Sequence, residues 1–241
     1  MQVEVHGRDI IVRAGAFFAV YYKPAGQPQL ILRQRTRTDD NELLAKVWPP
    51  VTSMMVAEKL RGTKQRSAWV PLANISRDLP LAVIASEDGR FCDHWGVDWA
   101  AVRDAIQERG LAGGFRGAST IPMQTVKNLY LWSSRDYMRK TLEVPLAYLL
   151  SALWPKKVVM ETYLNIAHWG RGTYGIKAAA RKYFNKDPAS LTRREAILLA
   201  AALPSPAVRN PARPSPRMRR IAQSIEKRML TVASRSTCIS P

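Results

Sequence analysis

The sequence predicts a mainly α-helical protein, and three observations support that prediction. Apolar residues recur at helical spacing in several segments between about residues 69 and 203. Capping residues and prolines stand where those segments would begin and end. Hydrophobic residues make up 46% of the chain and charged residues 23%, which fits a globular domain and argues against disorder or a coiled coil. No internal repeat is visible, and we expect no strands.

The first half of the helical region contains three predicted helices. The first has an apolar face and should stop near Gly89. Asp98 is the predicted N-cap of the second. A glycine-rich loop over residues 110–117 follows. Ser119 and Thr120 can then cap the third helix, with Pro122 in the first turn, where its missing N–H costs little.

The second half is predicted to hold three more helices. Pro145 lies within the first of them, where we expect a kink unless the helix starts near Thr141. Pro155 opens the second. Thr192 and Glu195 have the spacing of a capping box in front of the third. The predicted apolar stripe of the first consists of Leu142, Leu146, Leu149, Leu150 and Leu153.

Membrane crossing is not predicted for the chain as written. A spanning helix needs about 18–20 consecutive apolar residues. The longest stretch without a charged residue, residues 196–208, is interrupted by Pro204 and Pro206. Residues 14–22 are apolar, but this segment is far too short to span.

The charge balance predicts an anionic partner. Lys and Arg number 37 against 19 Asp and Glu, which gives a formal net charge of +18. Nucleic acid, an anionic membrane surface and a phosphorylated substrate all fit that charge. The two cysteines, Cys92 and Cys238, are too few for a disulfide framework. The histidines lie far apart without metal-ligand spacing, which argues against a zinc site.

Residues 170–175 match the G-x-G-x-x-G spacing of dinucleotide-binding loops. They follow a predicted helix, however, whereas a dinucleotide site requires a buried strand before the glycines. A glycine-rich turn between two helices is therefore the favoured interpretation.

Residues 87–98 form the first segment that could carry chemistry. Glu87 and Asp88 end a helix whose preceding residues are apolar. A carboxyl group at such an edge can be partly desolvated, which raises its pKa and suits it to general acid or base catalysis. From spacing alone, a solvated helix end is the simpler interpretation.

Residues 117–128 form the second such segment. A flexible loop delivers free N–H groups at a helix N-terminus, which is a favourable site for an anion. Gln124, Lys127 and Asn128 share one face of that helix. Basic residues and then Glu143 follow, so a phosphate-sized anion could bind here. An ordinary amphipathic helix with a basic surface loop explains the pattern equally well.

Together these residues resemble glycosyltransferase family 51, and the length is similar to that of its monofunctional biosynthetic peptidoglycan transglycosylases. Residues 87–98 resemble the first family motif, E-D-x-x-F-x-x-H-x-G-x-D. Residues 117–128 resemble the second, G-[GA]-S-T-I-x-Q-Q-x-x-K-N, and residues 139–143 the third, R-K-x-x-E. Residues 160–165 and 191–204 resemble the fourth and fifth. Five motifs in family order exclude a chance match.

The resemblance implies a lysozyme-like helical fold with a larger head lobe and a smaller membrane-proximal lobe. It implies a peptidoglycan glycosyltransferase that polymerises lipid II into β-1,4 glycan strands, inverts configuration and releases undecaprenyl pyrophosphate. Glu87 would be the catalytic general base for the acceptor 4-hydroxyl. Glu143 would lie at the donor pyrophosphate, where it orients basic groups or helps to hold a metal.

The resemblance also assigns substrate-binding residues around these two carboxylates. Lys127, Arg135 and Arg139 would neutralise the charge that grows on the leaving group. The other members of the set are Asp88, Phe91, His94, Ser119, Thr120, Gln124 and Asn128. Asp98, Gly175 and Glu195 are interpreted as structural.

The implied cofactor is at most a divalent cation, Mg or Mn, at the pyrophosphate. The implied partners are lipid II, the growing glycan chain, the anionic membrane surface and cell-wall transpeptidases, with no nucleic acid. The implied location is the periplasmic side of the bacterial cytoplasmic (inner) membrane, although the N-terminal anchor usual in the family is not visible.

Three segments are expected along the chain. Residues 1–45 form a divergent N-terminal segment, interpreted as poorly ordered or peripheral. Residues 46–228 form the peptidoglycan glycosyltransferase domain. Residues 229–241 form a basic tail.

The chain departs from the family pattern at Met123, which replaces the first of two tandem glutamines and would remove one amide from the substrate contacts. Three alternatives remain open at this point. One is a lysozyme-like hydrolase that cleaves peptidoglycan. Another is a basic nucleic-acid-binding protein, which would be recognised by strongly salt-dependent binding of DNA or RNA. The last is a catalytically inactive member of the family.

Overall fold

The computed structural model describes residues 2–6, 9–14, 17–21, 68–109, 119–131 and 137–239. Helices dominate these residues, so the predicted mainly α fold is confirmed. The helices are α1 (Asp78–Glu87), α2 (Trp99–Arg109), α3 (Ile121–Tyr130), α4 (Tyr137–Leu153), α5 (Lys156–Ile166), α6 (Ile176–Phe184), α7 (Arg193–Ala202) and α8 (Pro216–Arg235).

The chain divides into two compact units, residues 1–51 and residues 52–241. In the first unit, β1 (Gln2–His6), β2 (Asp9–Ala14) and β3 (Phe17–Tyr21) form an antiparallel meander with β2 in the centre. The second unit contains a short hairpin of β4 (His168–Gly170) and β5 (Thr173–Tyr174). The expectation that the chain has no strands was therefore wrong.

The core of the second unit is built around α1 and α7. Leu79, Ala82 and Val83 of α1 are fully buried, and α7 buries every residue from 196 to 202. α1 packs against α7 and α8, whereas α3 packs against α4 and α5. Because α1 is enclosed by its neighbours, its last residue, Glu87, is delivered into partly desolvated surroundings. The predicted end of this helix near Gly89 is confirmed.

Helix starts follow the predicted local signals. Thr120 caps α3, since its Oγ1 accepts the backbone N–H of the third helical residue at 3.3 Å. Asp98 caps α2 in the same way at 3.0 Å. Thr192 and Glu195 form a complete capping box at the start of α7. Pro155 immediately precedes α5. These boundaries could be predicted because each depends on neighbouring residues alone.

The buried face of α4 differs from the predicted leucine stripe. Glu143, Ala147 and Leu150 are buried, whereas Leu142 is 42% exposed. The helix continues through Pro145. The negative charge of Glu143 on this face is neutralised by cations from the same helix. An ion cluster therefore occupies part of the face that was predicted to consist of leucines.

The glycine-rich segment at residues 170–175 lies between α5 and α6, as the favoured interpretation required, but it belongs to the β4–β5 hairpin, which was not expected. Gly175 has a φ of +76°, and a Cβ there would lie 2.6 Å from the carbonyl oxygen of Asn165. Only glycine fits both constraints, so the structural interpretation of Gly175 is confirmed. None of the described helices is long and apolar enough to cross a membrane.

Cys92 and Cys238 form a disulfide bond across a sequence separation of 146 residues. Cys92 belongs to the loop after α1, and Cys238 to a 3-10 turn, Thr237–Ile239, after α8. The sequence did not predict this pairing, because two cysteines alone do not indicate that their segments meet. The bond fixes the C-terminal helix to the loop that follows Glu87.

Replacing both cysteines with serine should lower the free energy of unfolding by about 2–5 kcal/mol, since the closed loop is long and the unfolded chain gains freedom. Urea unfolding under oxidising conditions measures the loss. A matched control is the same experiment with reductant, which should destabilise the wild type and leave the double variant unchanged. Equal midpoints for oxidised wild type and variant would contradict a stabilising role.

Candidate active site

Glu87 lies at the end of α1, in contact with polar groups from its own helix and from α3. Its Oε2 accepts a hydrogen bond from Gln124 Nε2 at 2.9 Å. Its Oε1 lies 3.1 Å from the hydroxyl of Ser86, which itself lies 3.2 Å from the carbonyl oxygen of Ala200 in α7. Residues from α1, α3 and α7 therefore meet at one carboxylate.

Burial raises the pKa of Glu87, while the hydrogen bonds from Gln124 and Ser86 and the charges of Lys127 and Arg209 oppose that rise. A raised pKa makes the carboxylate a stronger base, and the opposing groups stabilise its ionised form. This balance suits a carboxylate that must take a proton near neutral pH.

Arg209 brings a positive charge towards Glu87 from the segment after α7. Its Nη1 donates to the carbonyl oxygen of Ala201 at 2.6 Å, next to the carbonyl that lies against Ser86. The two consecutive carbonyls at the end of α7 therefore hold both the arginine and the serine. Sequence reasoning missed Arg209 and Ser86, because no local pattern indicates this contact.

A second charged cluster joins α3 and α4 around Glu143. Glu143 is buried, and its oxygens accept hydrogen bonds from Arg139 and from Lys140, the latter at 2.9 Å. Lys140 also donates to the Ser119 hydroxyl at 2.8 Å, which ties α4 to the segment before α3. The carboxylate thus orients two cations on the side of α4 that faces the segment before α3.

Lys127 interacts electrostatically with both carboxylates. Burial lowers the pKa of Lys127, Arg139 and Lys140 add to that effect, and Glu143 and Glu87 oppose it. Three cations therefore surround one buried carboxylate. Such a group of partly desolvated cations stabilises a negatively charged ligand or leaving group.

The first motif also provides a polar connection between α1 and α3. One oxygen of Asp88 lies 2.8 Å from His94 Nε2, and the other accepts the backbone N–H of Ile121 at 2.9 Å. Phe91 is fully buried, and the Nζ of Lys156 lies 4.5 Å from its ring centroid. These side chains hold the loop in place, and their predicted contacts with substrate stay predictions.

The remaining predicted site residues are distributed along α3 and beyond it. Thr120 is buried and donates to the carbonyl oxygen of Gly96, while Asn128 is half-buried on α3. Arg135 and the glycine-rich loop at 110–117 lie outside the described residues. Met123 is packed in the core, whereas the glutamine that follows it, Gln124, contacts Glu87.

Sequence reasoning assigned no role to the residues of the fourth motif, which lie on α5. Tyr163 donates from its hydroxyl to Gln124 Oε1 at 3.0 Å. Glu161 and Asn165 bind the segment at residues 69–72 through its backbone and the indole of its tryptophan. Two of these residues therefore fix α5 in the fold, and the third extends the contacts around Glu87.

A resident metal ion does not fit the residues around Glu143. Both of its carboxylate oxygens already accept hydrogen bonds from cations. The described part of the chain also brings together no group of three His, Cys, Asp or Glu side chains.

A family model described as Transglycosylase matches residues 53–232, which contain both charged clusters. The chain belongs to the transglycosylase family. Three similar relatives are each named biosynthetic peptidoglycan transglycosylase. The relative from Brucella suis biovar 1 (strain 1330) is 48% identical over 192 residues, which cover 79% of this chain and 85% of the relative.

The relative from Rhizobium meliloti (strain 1021) is 45% identical over 192 residues, which cover 79% of this chain and 80% of the relative. The relative from Rhodospirillum centenum (strain ATCC 51521 / SW) is 46% identical over 183 residues, which cover 76% of this chain and 78% of the relative. Membership of the transglycosylase family confirms the resemblance seen in the sequence.

This transglycosylase is therefore a peptidoglycan glycosyltransferase, and its mainly helical architecture agrees with the lysozyme-like fold that the resemblance implied. Such an enzyme acts on lipid II and the glycan chain. Its location is periplasmic or membrane-associated.

Proposed function

We propose that the enzyme polymerises lipid II into β-1,4 glycan strands and releases undecaprenyl pyrophosphate, with Glu87 as general base. One observation carries this proposal: the half-buried carboxylate of Glu87 lies beside a cluster of cations. A glycoside hydrolase needs a carboxylic acid and a second carboxylate across the scissile bond. Here Glu143 is buried and accepts hydrogen bonds from two cations, which suits it to orienting positive charge.

The proposed reaction is a displacement at the anomeric carbon of the lipid-linked donor. Glu87 takes the proton from the acceptor 4-hydroxyl as that oxygen forms the new glycosidic bond. The bond between the anomeric carbon and the pyrophosphate breaks, and the pyrophosphate leaves with the electron pair. Attack from the opposite face converts the α-linked donor into a β linkage.

The chain supplies positive charge for the leaving group from Lys127, Arg139 and Lys140, and we propose Arg135 as a further contributor. Fixed cations are effective here because a pyrophosphate leaves as an anion and needs charge stabilisation more than protonation. No step is assigned to a Mg or Mn ion, since the residues around Glu143 do not fit one.

The test is synthesis of glycan strands by the whole chain from purified lipid-linked disaccharide-pentapeptide in detergent. We expect polymer, together with one undecaprenyl pyrophosphate for each linkage formed. Release of soluble sugars from isolated peptidoglycan, without consumption of the lipid precursor, would identify a hydrolase instead. Absence of both activities, with salt-dependent binding of DNA or RNA, would favour the nucleic-acid alternative.

The proposed location is the periplasmic face of the cytoplasmic membrane, with transpeptidases that crosslink the strands as partners. A disulfide bond is typical of an oxidising compartment, and the +18 charge favours an anionic lipid surface. Trp95, Trp99 and Tyr148 line one shallow surface depression beside the first motif, and the two indoles are 69% and 54% exposed. Exposed aromatics of this kind favour a membrane interface.

Replacing Trp95 and Trp99 together with serine should weaken binding to phosphatidylglycerol-containing vesicles by about tenfold or more, since two large apolar side chains lose their burial. Co-sedimentation measures the binding without depending on catalysis. Leu230→Ser is the matched control, because Leu230 is 72% exposed on α8. Unchanged binding of the double variant, or an equal loss in the control, would contradict a specific membrane contact at this surface.

A further inference from the structure

We propose that Tyr163 is a positioning residue that holds the Gln124 amide in the orientation needed by Glu87. The Tyr163 hydroxyl lies 3.0 Å from Gln124 Oε1, and Gln124 Nε2 lies 2.9 Å from Glu87 Oε2. The two hydrogen bonds form a chain from α5 through α3 to the end of α1. This inference rests on the proposed function, because it takes Glu87 as the base.

The donor and acceptor groups of the three side chains determine the direction of these two hydrogen bonds. An ionised carboxylate only accepts hydrogen bonds, so the nitrogen of the Gln124 amide must face Glu87. The amide oxygen then faces Tyr163, which must donate. If the amide turned over, its oxygen would face Glu87 and would favour the protonated acid. By donating to the amide oxygen, Tyr163 stabilises the orientation that matches the basic form of Glu87. The carbonyl oxygen of Ser119, 3.5 Å from Gln124 Nε2, favours the same orientation.

Tyr163 is well suited to this role. It is 2% exposed, and burial raises the pKa of its phenol well above the usual value, so the hydroxyl keeps the proton that it donates. The helix that carries it is held by Glu161 and Asn165, which bind residues 69–72. The donor is thus fixed in place before substrate binds.

The test compares wild type with Tyr163→Phe, which removes one oxygen and keeps the ring. The charged groups that act on Glu87 from α3 and from the segment after α7, Lys127 and Arg209, are retained. The acidic limb of the kcat–pH profile should move to higher pH by about one unit, because the ionised form of Glu87 is less well stabilised when the Gln124 amide is no longer held by Tyr163. Below the midpoint this is about a tenfold loss of kcat, with little change in KM.

The matched control is Tyr183→Phe. The hydroxyl of Tyr183 also donates one hydrogen bond of 3.0 Å, but to the backbone of Trp169. Its removal should leave the acidic limb where it is in the wild type. A shift of equal size in Tyr183→Phe would show that losing any hydrogen-bonded tyrosine hydroxyl moves the profile, and would overturn the specific role of Tyr163.

A double-mutant cycle with Gln124→Met tests whether Tyr163 acts through Gln124. Gln124→Met should shift the acidic limb in the same direction, and adding Tyr163→Phe to it should have little further effect. An unshifted limb in folded Tyr163→Phe, or fully additive shifts in the double variant, would overturn the proposal.

A measurement that needs no turnover separates this inference from the proposed function. The side-chain carboxyl of Glu87 can be followed by ¹³C NMR in glutamate-labelled protein and assigned with Glu87→Gln. A higher pKa in Tyr163→Phe than in wild type supports the positioning role, and an equal pKa refutes it. Failure of wild type to make polymer would refute the polymerase proposal alone.

Discussion

Glu87→Gln is expected to reduce glycan-strand synthesis by about a hundredfold or more, because the amide cannot take the proton of the acceptor hydroxyl. The substitution conserves shape: the oxygen of the new amide can still accept from Gln124, and its NH2 group can donate to the hydroxyl oxygen of Ser86. Polymer formed from lipid II in detergent is the readout. Glu226→Gln makes the same change at an exposed position on α8 and should keep full activity. Polymerisation by Glu87→Gln at the wild-type rate would refute the assigned base.

The same variant should gain stability at neutral pH. Burial raises the pKa of Glu87 above its ordinary 4.5, so the folded protein binds this proton more tightly than the unfolded chain does. The ionised group therefore destabilises the fold above its folded pKa, and this penalty disappears as the pH falls towards 4.5. Thermal unfolding of Glu87→Gln should show a higher Tm than wild type at pH 7 and no difference near pH 4.

Lys127→Met is expected to reduce polymerisation by about a hundredfold, because one fixed charge is lost from the group that stabilises the departing pyrophosphate. Methionine keeps the apolar stem of the side chain. Since the Lys127 charge also holds down the pKa of Glu87, the acidic limb of the rate profile should move to higher pH.

Lys186→Met is the control for the loss of one positive charge. Lys186 pairs with Glu195 at the N-terminal end of α7, whereas the carbonyls near Glu87 belong to its C-terminal end. Its removal should leave the rate and its pH dependence unchanged. Equal losses in the two lysine variants would mean that overall charge, rather than a specific site, governs activity.

The sequence predicted the parts of the fold that depend on neighbouring residues. The caps at Asp98, Thr120 and Thr192 follow from side-chain hydrogen bonds within one turn, so a single stretch of sequence determines each of them. The mainly helical class could be predicted because apolar residues recur at helical spacing in several segments of the chain. The face of α4 was mispredicted because the buried ion cluster of Glu143 outweighs the local preference of its leucines for the core.

The sequence alone could not place residues whose roles depend on contacts between distant segments. The charge of Arg209 acts on Glu87 only because α7 packs against α1, and Tyr163 meets Gln124 only because α5 packs against α3. The Cys92–Cys238 pair has the same origin. Family motifs located Glu87, Gln124, Lys127 and Glu143, but their hydrogen-bond partners required the folded chain.

The disulfide makes the chain between Cys92 and Cys238 a covalent ring that contains Gln124, Tyr163 and Arg209. A protease that cuts once anywhere within that ring opens it and releases nothing, because the two ends remain attached through sulfur. On a non-reducing gel such a nicked molecule has the mass of the intact chain, and two fragments separate only after reductant is added. Limited proteolysis of this enzyme must therefore be read on reducing and non-reducing gels side by side.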